Sequence, residues 1–396
     1  MSSQAKIFRV YASHGPDNLA ELDLPASDYE MLDLMERLRL EPGQLPYVEI
    51  LKFCEGYDYL EKCIHELPDI YQLNALAKKL AEFTSAQEMG SFEGLVGKEI
   101  EKAAAPVELP RLIDFAHSAD CCHVVEDAVT DCELGRFLAE NGFVPEAEKL
   151  SDTAFELLDF SKIGKEHRES EGGIFTGFGY VELHDEIHHV SKEMDFQPRK
   201  PAYTILLNMA PLPFVRKVEP EDMVQMRLPA PEEQMRAALE KMGVNDWNNV
   251  AASIQDCVIP QLVHEFYLNG EIPQITELAQ CLSQLDARDE MPKYKALLAA
   301  MDCKEIGQAV TLAGTVDEYV FNPKTSCPED AAMSELRVMI AAGDAAEFAQ
   351  YVNLQAFGLS LLERDHAVIT GYGLVERQDG QPIQATEQKA EGMVMT

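Results

Sequence analysis

The feature that most constrains this chain is a seven-residue segment that occurs twice. TGFGYVE at Thr176–Glu182 returns near the end as TGYGLVE at Thr370–Glu376. Two longer segments also repeat in the same order: LPASDYEMLDLMERL (Leu24–Leu38) with LPAPEEQMRAALEKM (Leu228–Met242), and IYQLNALAKKLAEF (Ile70–Phe83) with IPQITELAQCLSQL (Ile272–Leu285). Similar segments in the same order indicate a tandem duplication of one module. We therefore expect two related halves, each of mixed α and β structure.

The two copies are unequal. Gly164 of the first copy corresponds to Gly358 of the second. ELGRFLAENG (Glu133–Gly142) aligns with SELRVMIAAG (Ser334–Gly343), which lacks both the internal glycine and the acid at Glu140. The alignment predicts a diverged second copy.

Charge limits the kind of partner. The chain of 396 residues has 69 acidic and 33 basic residues, a formal net charge of −36 spread over both halves. Such a charge repels nucleic acid and anionic membranes and favours a basic partner. Duplex DNA carries one charge per about 1.7 Å of axis, so this charge equals that of about 60 Å, or roughly 18 base pairs, of DNA.

The chain begins without an apolar signal region and has no apolar run long enough to span a membrane. Its nine cysteines follow no framework spacing. We therefore expect a cytoplasmic protein with free thiols.

Local patterns predict the elements of each half. We expect strands at residues 6–12 and 202–209, and a turn entering a strand at Gly172–Val181. Ser27 and Glu30 form a capping-box pattern at a helix start. The predicted helices are Ser27–Arg39, Leu73–Phe83, Val124–Glu140 and Glu232–Met242.

Motifs for catalysis or metal binding are absent from the sequence. There is no phosphate loop, HExxH or GxSxG. On a helix, His117 and Cys121 of the cluster His117, Cys121, Cys122 and His123 would share a face, but a closed zinc site needs two more ligands. We expect buried thiols there, with no metal, cofactor or catalytic residue. His184 and His188 are expected to face solvent.

At Glu133–Glu146 the sequence ELGRFLAENGFVPE resembles the antirestriction motif of the ArdA family. The segment Phe155–Glu182 is similar to the C-terminal signature of that family, and Phe8–Ser27 resembles its N-terminal strand, acidic loop and helix start. LNALAKKL (Leu73–Leu80) resembles its central helix. The resemblance covers residues 6–183, a full family module.

The resemblance implies an elongated, curved α+β protein with several small subdomains, and here two tandem ArdA-like modules. The predicted organisation is a first module at 1–183 (subdomains about 1–66, 67–104 and 105–183), a linker at 184–202, a diverged second module at 203–377 and a flexible tail at 378–396.

The resemblance also implies a function. Acidic side chains of the family imitate DNA phosphates and bind type I restriction–modification enzymes in the DNA groove, on behalf of plasmids, transposons or phages. Such a protein is not an enzyme and does not bind nucleic acid itself. The candidate partner-binding acids are Asp17, Glu21, Asp23, Asp28, Glu30, Asp33, Glu36, Glu126, Asp127, Asp131, Glu133, Glu140, Glu232, Glu233 and Glu240.

Alternatives remain open. The target could be another nucleic-acid-binding defence complex, for instance of the CRISPR type. A carboxylate-based hydrolase would instead bring buried carboxylates with raised pKa together in one pocket. The tandem copies predict either a monomeric pseudo-dimer or a homodimer.

Overall fold

The computed structural model describes residues 5–383 except 42, 66, 104–105, 214, 216–217, 264–270, 304 and 341. The elements of the first half are β1 (Phe8–His14), β2 (Asn18–Leu24), α1 (Asp28–Leu38), β3 (Tyr47–Phe53), α2 (Ile70–Leu80), α3 (Ala86–Ala103), α4 (Leu109–His117), β4 (Cys122–Val125), α5 (Asp131–Glu140), α6 (Asp152–Phe155), α7 (Phe160–Glu171), β5 (Ile174–Thr176) and β6 (Gly179–Leu183).

The second half repeats this order with few changes. Its elements are β7 (Ile205–Pro211), β8 (Val224–Leu228), α8 (Glu232–Met242), β9 (Val250–Cys257), α9 (Ile272–Ala287), α10 (Met291–Ala300), α11 (Ile306–Ala313), β10 (Tyr319–Asn322), α12 (Pro328–Met339), α13 (Ala342–Ala349), α14 (Leu354–Asp365), β11 (Val368–Thr370) and β12 (Gly373–Arg377). The predicted α+β class with several subdomains is confirmed.

The sheets repeat as well. The strand order β2-β1-β3 returns as β8-β7-β9, and β4-β6-β5 returns as β10-β12-β11. The repeated heptad forms the hairpins β5–β6 and β11–β12. In each hairpin a threonine hydroxyl, of Thr176 or Thr370, donates to the carbonyl of Gly179 or Gly373, at 3.0 and 2.8 Å. The heptad therefore has a structural role in both copies.

The glycine that ends each turn is required by its backbone. Gly179 and Gly373 have φ angles of 133° and 149°. A Cβ at Gly179 would lie 2.3 Å from the carbonyl oxygen of Val125, and one at Gly373 would lie 2.5 Å from that of Asn322. Any side chain here would displace the neighbouring strand, so packing requires glycine at these two positions of the heptad.

The predicted helix Val124–Glu140 is wrong over residues 124–130. Residues 122–125 form β4, which pairs with β6 in the register Val124↔Val181. Helix α5 begins only after Thr130, whose hydroxyl accepts a hydrogen bond from the Glu133 amide. The β-branched pair Val124-Val125 favours a strand, and the threonine cap starts the helix.

The predicted alignment of Glu133–Gly142 with Ser334–Gly343 is displaced by one helical turn. A Cβ at Gly164 would lie 1.9 Å from the carbonyl oxygen of Asp131, and one at Gly358 would lie 1.9 Å from that of Pro328. Asp131 therefore corresponds to Pro328. In this corrected alignment the fully buried Ala332 corresponds to Gly135, and Arg337 corresponds to Glu140.

The other predicted helices are present. Ser27 caps α1, and the Glu30 side chain accepts from the Ser27 amide, so the capping box is confirmed. Helix α2 begins three residues before the predicted start, because Asp69 caps it through the amides of Tyr71 and Gln72. Helix α8 has the predicted bounds.

The chain divides into two compact units that do not follow the sequence repeat. The first contains residues 5–12, 21–26 and 45–197, and the second contains residues 13–20, 27–44 and 198–383. Helix α1 thus belongs to the second unit although it comes from the first repeat. The module boundaries at 183 and 203 stay a prediction about the duplication. Residues 384–396 of the predicted tail lie outside the described residues.

Each unit has its own apolar core. In the first unit, Leu134, Leu138 and Tyr180 pack between α5 and the β4–β6 sheet. In the second unit, a larger core joins β7–β9 to α9 and α10, with Leu278, Leu282 and Tyr294 at 0% exposure. Across the described residues, none of the helices combines the length and apolar character that a membrane span needs.

Candidate partner-binding surface

The candidate acids separate into those with partners and those without. Six of them, here called the free acids, are exposed and form neither an ion pair nor a side-chain hydrogen bond with another described residue: Asp17, Glu126, Asp127, Glu232, Glu233 and Glu240. These side chains present uncompensated negative charge to solvent.

Glu126 and Asp127 lie in the turn between β4 and α5. The amide of Ala128 donates to the carbonyl of Val125 at 3.1 Å, and Ala128 is fully buried. The turn is therefore anchored on the core side, and its two acids lie together on the outside. This is the most concentrated free charge among the candidate acids of the first unit.

Glu232 and Glu233 lie in the first turn of α8, after the Pro231 cap. The amide groups at a helix N-terminus stabilise nearby carboxylates. Glu240 is seven residues beyond Glu233, so the two share a face about 10 Å apart along the axis. Arg236 lies on the same face between Glu233 and Glu240, and its positive charge partly offsets theirs.

Other candidate acids are held by arginine. Glu21 and Asp23 share Arg9, with carboxylate-to-guanidinium distances of 2.7 and 3.8 Å. Asp131 accepts two hydrogen bonds from Arg168, at 2.8 and 3.0 Å, and this contact holds the pKa of Asp131 below its usual value.

Arg136 likewise contacts Glu140 at 3.5 Å and Glu156 at 3.0 Å. Because their charge is locally compensated, acids of this kind present a weaker field than the free acids do.

Three further candidates accept hydrogen bonds from backbone amides. Glu30 and Glu133 accept hydrogen bonds from backbone amides at the starts of α1 and α5. Asp28, in the first turn of α1, accepts from the Arg199 amide at 3.4 Å. Glu30 and Glu133 therefore serve first as caps of their helices, whereas Asp28 contacts the backbone of Arg199.

Asp33 does not lie on the surface. Its carboxylate is 2.8 Å from the ammonium group of Lys295 and 2.9 Å from the hydroxyl of Tyr372, and its side chain is 8% exposed. Lys295 also contacts the exposed Glu36 at 2.7 Å. Glu30, Asp33 and Glu36 follow one another at intervals of three in the sequence, but they do not form a row on the surface, because Asp33 is enclosed and paired with Lys295.

The burial of Asp33 follows from two apolar faces on α1. Met31, Leu34 and Leu38 cover one face, and Tyr29, four residues before Asp33, is buried on another. Residues four apart share a helix face, so Asp33 enters the second unit beside Tyr29. The sequence spacing of acids at intervals of three could not reveal this second buried face.

Burial alone would lower the pKa of Lys295. The adjacent carboxylates of Asp33 and Glu36 outweigh burial and raise it, so the lysine stays charged. Burial, with the charge of Asp33, also raises the pKa of the Tyr372 phenol. Lys295 and Tyr372 therefore both stay protonated, and each donates a hydrogen bond to Asp33.

Among the clefts lined by described residues, one contains a carboxylate of raised pKa, Glu376, and so bears on the hydrolase alternative. A cleft of about 210 Å³ in the second unit is lined by Glu335, Arg364, Asp365 and Glu376, among others. Burial raises the pKa of Glu376, whereas Arg364 holds the pKa of Asp365 low and also pairs with Glu335 at 3.7 Å. The cleft is smaller than the usual ligand pocket of about 300–1,000 Å³, and neither histidine nor cysteine lines its described part.

Sequence reasoning missed other exposed acids. Glu49 lies on the exposed side of β3, where buried and exposed residues alternate from Tyr47 to Glu49. Asp185 and Glu186 lie exposed just after β6. The alternation of β3 is a usable signal for Glu49, whereas the two acids after β6 lie in the segment that the sequence predicts to be a linker.

The fold and surface define a class of protein: an α+β chain with a repeated element order and exposed carboxylates in both units. No protein-family model matches the chain, and no curated protein matches it.

Proposed function

We propose that this protein is a DNA-mimic inhibitor that occupies the DNA-binding groove of a type I restriction–modification enzyme and thereby protects incoming mobile-element DNA. It acts by binding and not by catalysis. The observation that carries the proposal is the presence of free acids in both units of a chain with a net charge of −36. The resemblance of Glu133–Glu146 and Phe155–Glu182 to the ArdA family supplies the target class.

The physical basis is electrostatic. A groove that binds DNA is lined by lysine and arginine. DNA releases its condensed counterions when it enters such a groove. Adjacent exposed acids, such as Glu126 and Asp127, offer neighbouring negative charges to such a groove. Binding of this kind is fast, and its affinity falls as salt rises.

The state of each acid decides its contribution. Free acids meet the groove with full charge, whereas acids held by Arg9, Arg136 or Arg168 bring a positive charge with them. Asp33 contributes to the fold of the second unit and not to binding. We therefore expect Glu126 and Asp127 to contribute most in the first unit, and Glu232 and Glu233 in the second.

The test is capture of a type I restriction–modification complex by the immobilised full chain, with duplex DNA as competitor over a series of salt concentrations. We expect DNA to displace the chain and the affinity to fall with salt. Each charged contact removed should lower the slope of log affinity against log salt by about 1. Capture that DNA does not displace, and that salt does not weaken, contradicts mimicry.

Matched variants separate specific contacts from net charge. E126Q/D127N removes two free acids, and we expect weaker binding with a lower salt slope. E166Q/E169Q removes the same charge from acids of α7 that lie 3.8 Å from Lys162 and Lys165. We expect this control to bind like the unmodified chain. Equal weakening by both variants would mean that net charge alone acts.

The alternative targets give different outcomes. A CRISPR-type effector complex offers the same DNA-binding chemistry, so it is included as a second immobilised partner. Preferential capture of that complex, again displaced by duplex DNA, would keep the mimicry and change the target.

A further inference from the structure

Three metal-ligating atoms meet at one end of the β4–β6 sheet in the first unit. Asp120 and Cys121 lie in a short 3-10 turn (Ala119–Cys121), and His188 follows β6. The Cys121 Sγ is 3.4 Å from the His188 Nε2 and 3.8 Å from the Asp120 Oδ1. The Nε2 and Oδ1 atoms are 3.6 Å apart.

These separations match a metal coordination triangle. Tetrahedral zinc has bonds of about 2.3 Å to sulfur and about 2.0–2.2 Å to nitrogen or oxygen, which places its ligand atoms about 3.3–3.7 Å apart. One ion could therefore contact all three atoms with small side-chain adjustments. The Cys, His and carboxylate donor set also suits zinc better than the oxygen-preferring calcium or magnesium.

The backbone holds the two segments together without a metal. The amides of His184 and Asp185 both donate to the carbonyl of Cys121, at 2.9 and 3.2 Å. The His188 amide donates to the Ser118 hydroxyl at 2.8 Å. The ligands are therefore positioned by contacts on both sides, which lowers the entropy that a bound ion must overcome.

A second group of bonds fixes the segment beyond the histidine. The Ser118 hydroxyl donates to the carbonyl of Asp114 at 2.7 Å. The Asp114 carboxylate accepts from the Ser191 amide at 2.9 Å and lies 3.2 Å from the Nδ1 of His189. The chain on both sides of His188 is thus attached to the end of α4.

The surroundings favour a cation. Asp120, Asp185 and Glu186 are exposed acids within or beside the cluster. The Cys121 thiol donates to the carbonyl of Glu186 at 3.3 Å. A bound metal ion replaces this thiol proton, which leaves to solvent as the sulfur–metal bond forms.

We propose that Asp120, Cys121 and His188 form a binding site for one zinc ion, with the fourth position open to solvent. The ion ties the segment after β6 to the turn before β4. The sequence favours buried thiols without a metal at this cluster, with His117 as the residue that would share a helix face with Cys121. The 3-10 turn and the return of the chain after β6 place His188 beside Cys121 instead. The site is independent of the proposed function.

The test is a titration of the purified, metal-free full chain with cobalt(II), followed by displacement with zinc(II). We expect one cobalt per chain, the intense visible bands of a tetrahedral ion and a near-ultraviolet thiolate-to-cobalt band. We also expect zinc to raise the unfolding temperature. A spectrum without the thiolate band, or one of octahedral type, overturns the proposal.

Variants locate the ion. Because Asp120 and His188 are exposed, D120N and H188Q leave the core intact, and we expect each to weaken binding about tenfold or more, the range reached by loss of even a supporting partner. C121S should remove the thiolate band.

Two controls accompany these variants. C132S removes an exposed thiol of α5, and H123Q removes an imidazole that contacts His184, with ring centres 5.9 Å apart. Both should bind cobalt like the unmodified chain. Unchanged affinity in D120N and H188Q overturns the proposal, as does a thiolate band that persists in C121S and disappears in C132S.

Discussion

Lys295 carries a positive charge into the interior of the second unit. Its side chain is 2% exposed, and its ammonium group contacts the carboxylates of Asp33 and Glu36 at 2.8 and 2.7 Å. It also lies 5.9 Å from the ring centre of Tyr372. Taking charges out of water is costly, so removal of one partner leaves the others uncompensated.

We expect K295M to lower the free energy of unfolding by about 3–5 kcal/mol, because Asp33 is then a buried carboxylate without a cation. The measurement is urea unfolding of the full chain followed by circular dichroism. R288M is the control: Arg288 pairs with Asp317 and Glu290 at an exposed position, and its loss should cost about 1 kcal/mol or less.

The double variant D33N/K295M tests the cause. It removes both charges, so much of the lost stability should return. Equal urea midpoints for K295M and the unmodified chain would show that the buried pair contributes nothing.

At the scale of elements, the crossing of α5 and α7 depends on two glycines. A Cβ at Gly135 would lie 1.9 Å from the carbonyl oxygen of Phe160, and one at Gly164 would lie 1.9 Å from that of Asp131. The backbones therefore touch. In the second unit, α12 and α14 cross at Gly358, and Ala332 occupies the position that corresponds to Gly135.

G164A should destabilise the first unit by about 1–3 kcal/mol or more, since the added methyl group forces the two helices apart. The matched control is G307A in α11, where an added Cβ meets nothing within 4 Å. There alanine should stabilise by about 0.5 kcal/mol, because it loses less backbone entropy than glycine. Thermal unfolding of both variants measures the difference, and a G164A transition at or above that of G307A would contradict the close crossing.

The elements show what sequence can and cannot supply. The capping box at Ser27 and the bounds of α8 were readable because their signals are local. The glycines and β-formers of Gly172–Val181 predicted a turn entering a strand, because turn chemistry is set within a few residues. The correspondence of Gly135 with Ala332 could be established only from the helix crossing. The sequences of α5 and α12 share too few residues to fix their alignment to within one turn.

The candidate site divides in the same way. Exposure of Glu126, Asp127 and Glu232 follows from charge and local position, which the sequence carries. Enclosure of Asp33 by Lys295, and the approach of His188 to Cys121, depend on residues 262 and 67 positions away along the chain. No local pattern encodes such partners, so those assignments could be made only from the fold.

For the whole molecule, the repeat of element order suggests that one chain supplies what two protomers would otherwise form. On this hypothesis the full chain is monomeric. Size-exclusion chromatography with light scattering should give the mass of a single chain at micromolar concentration, at both low and high salt. A stable mass of two chains would instead favour the homodimer.

The assignment of α1 to the second unit has a consequence for how the chain can be divided. The repeat suggests a cut in the segment between Leu183 and Tyr203. Such a cut would leave the C-terminal fragment with Lys295 and Tyr372 but without the carboxylate of Asp33 that both contact. The copies of the sequence and the units of the fold are therefore not interchangeable parts. A fragment that retains the whole second unit must therefore include α1, which lies near the start of the chain.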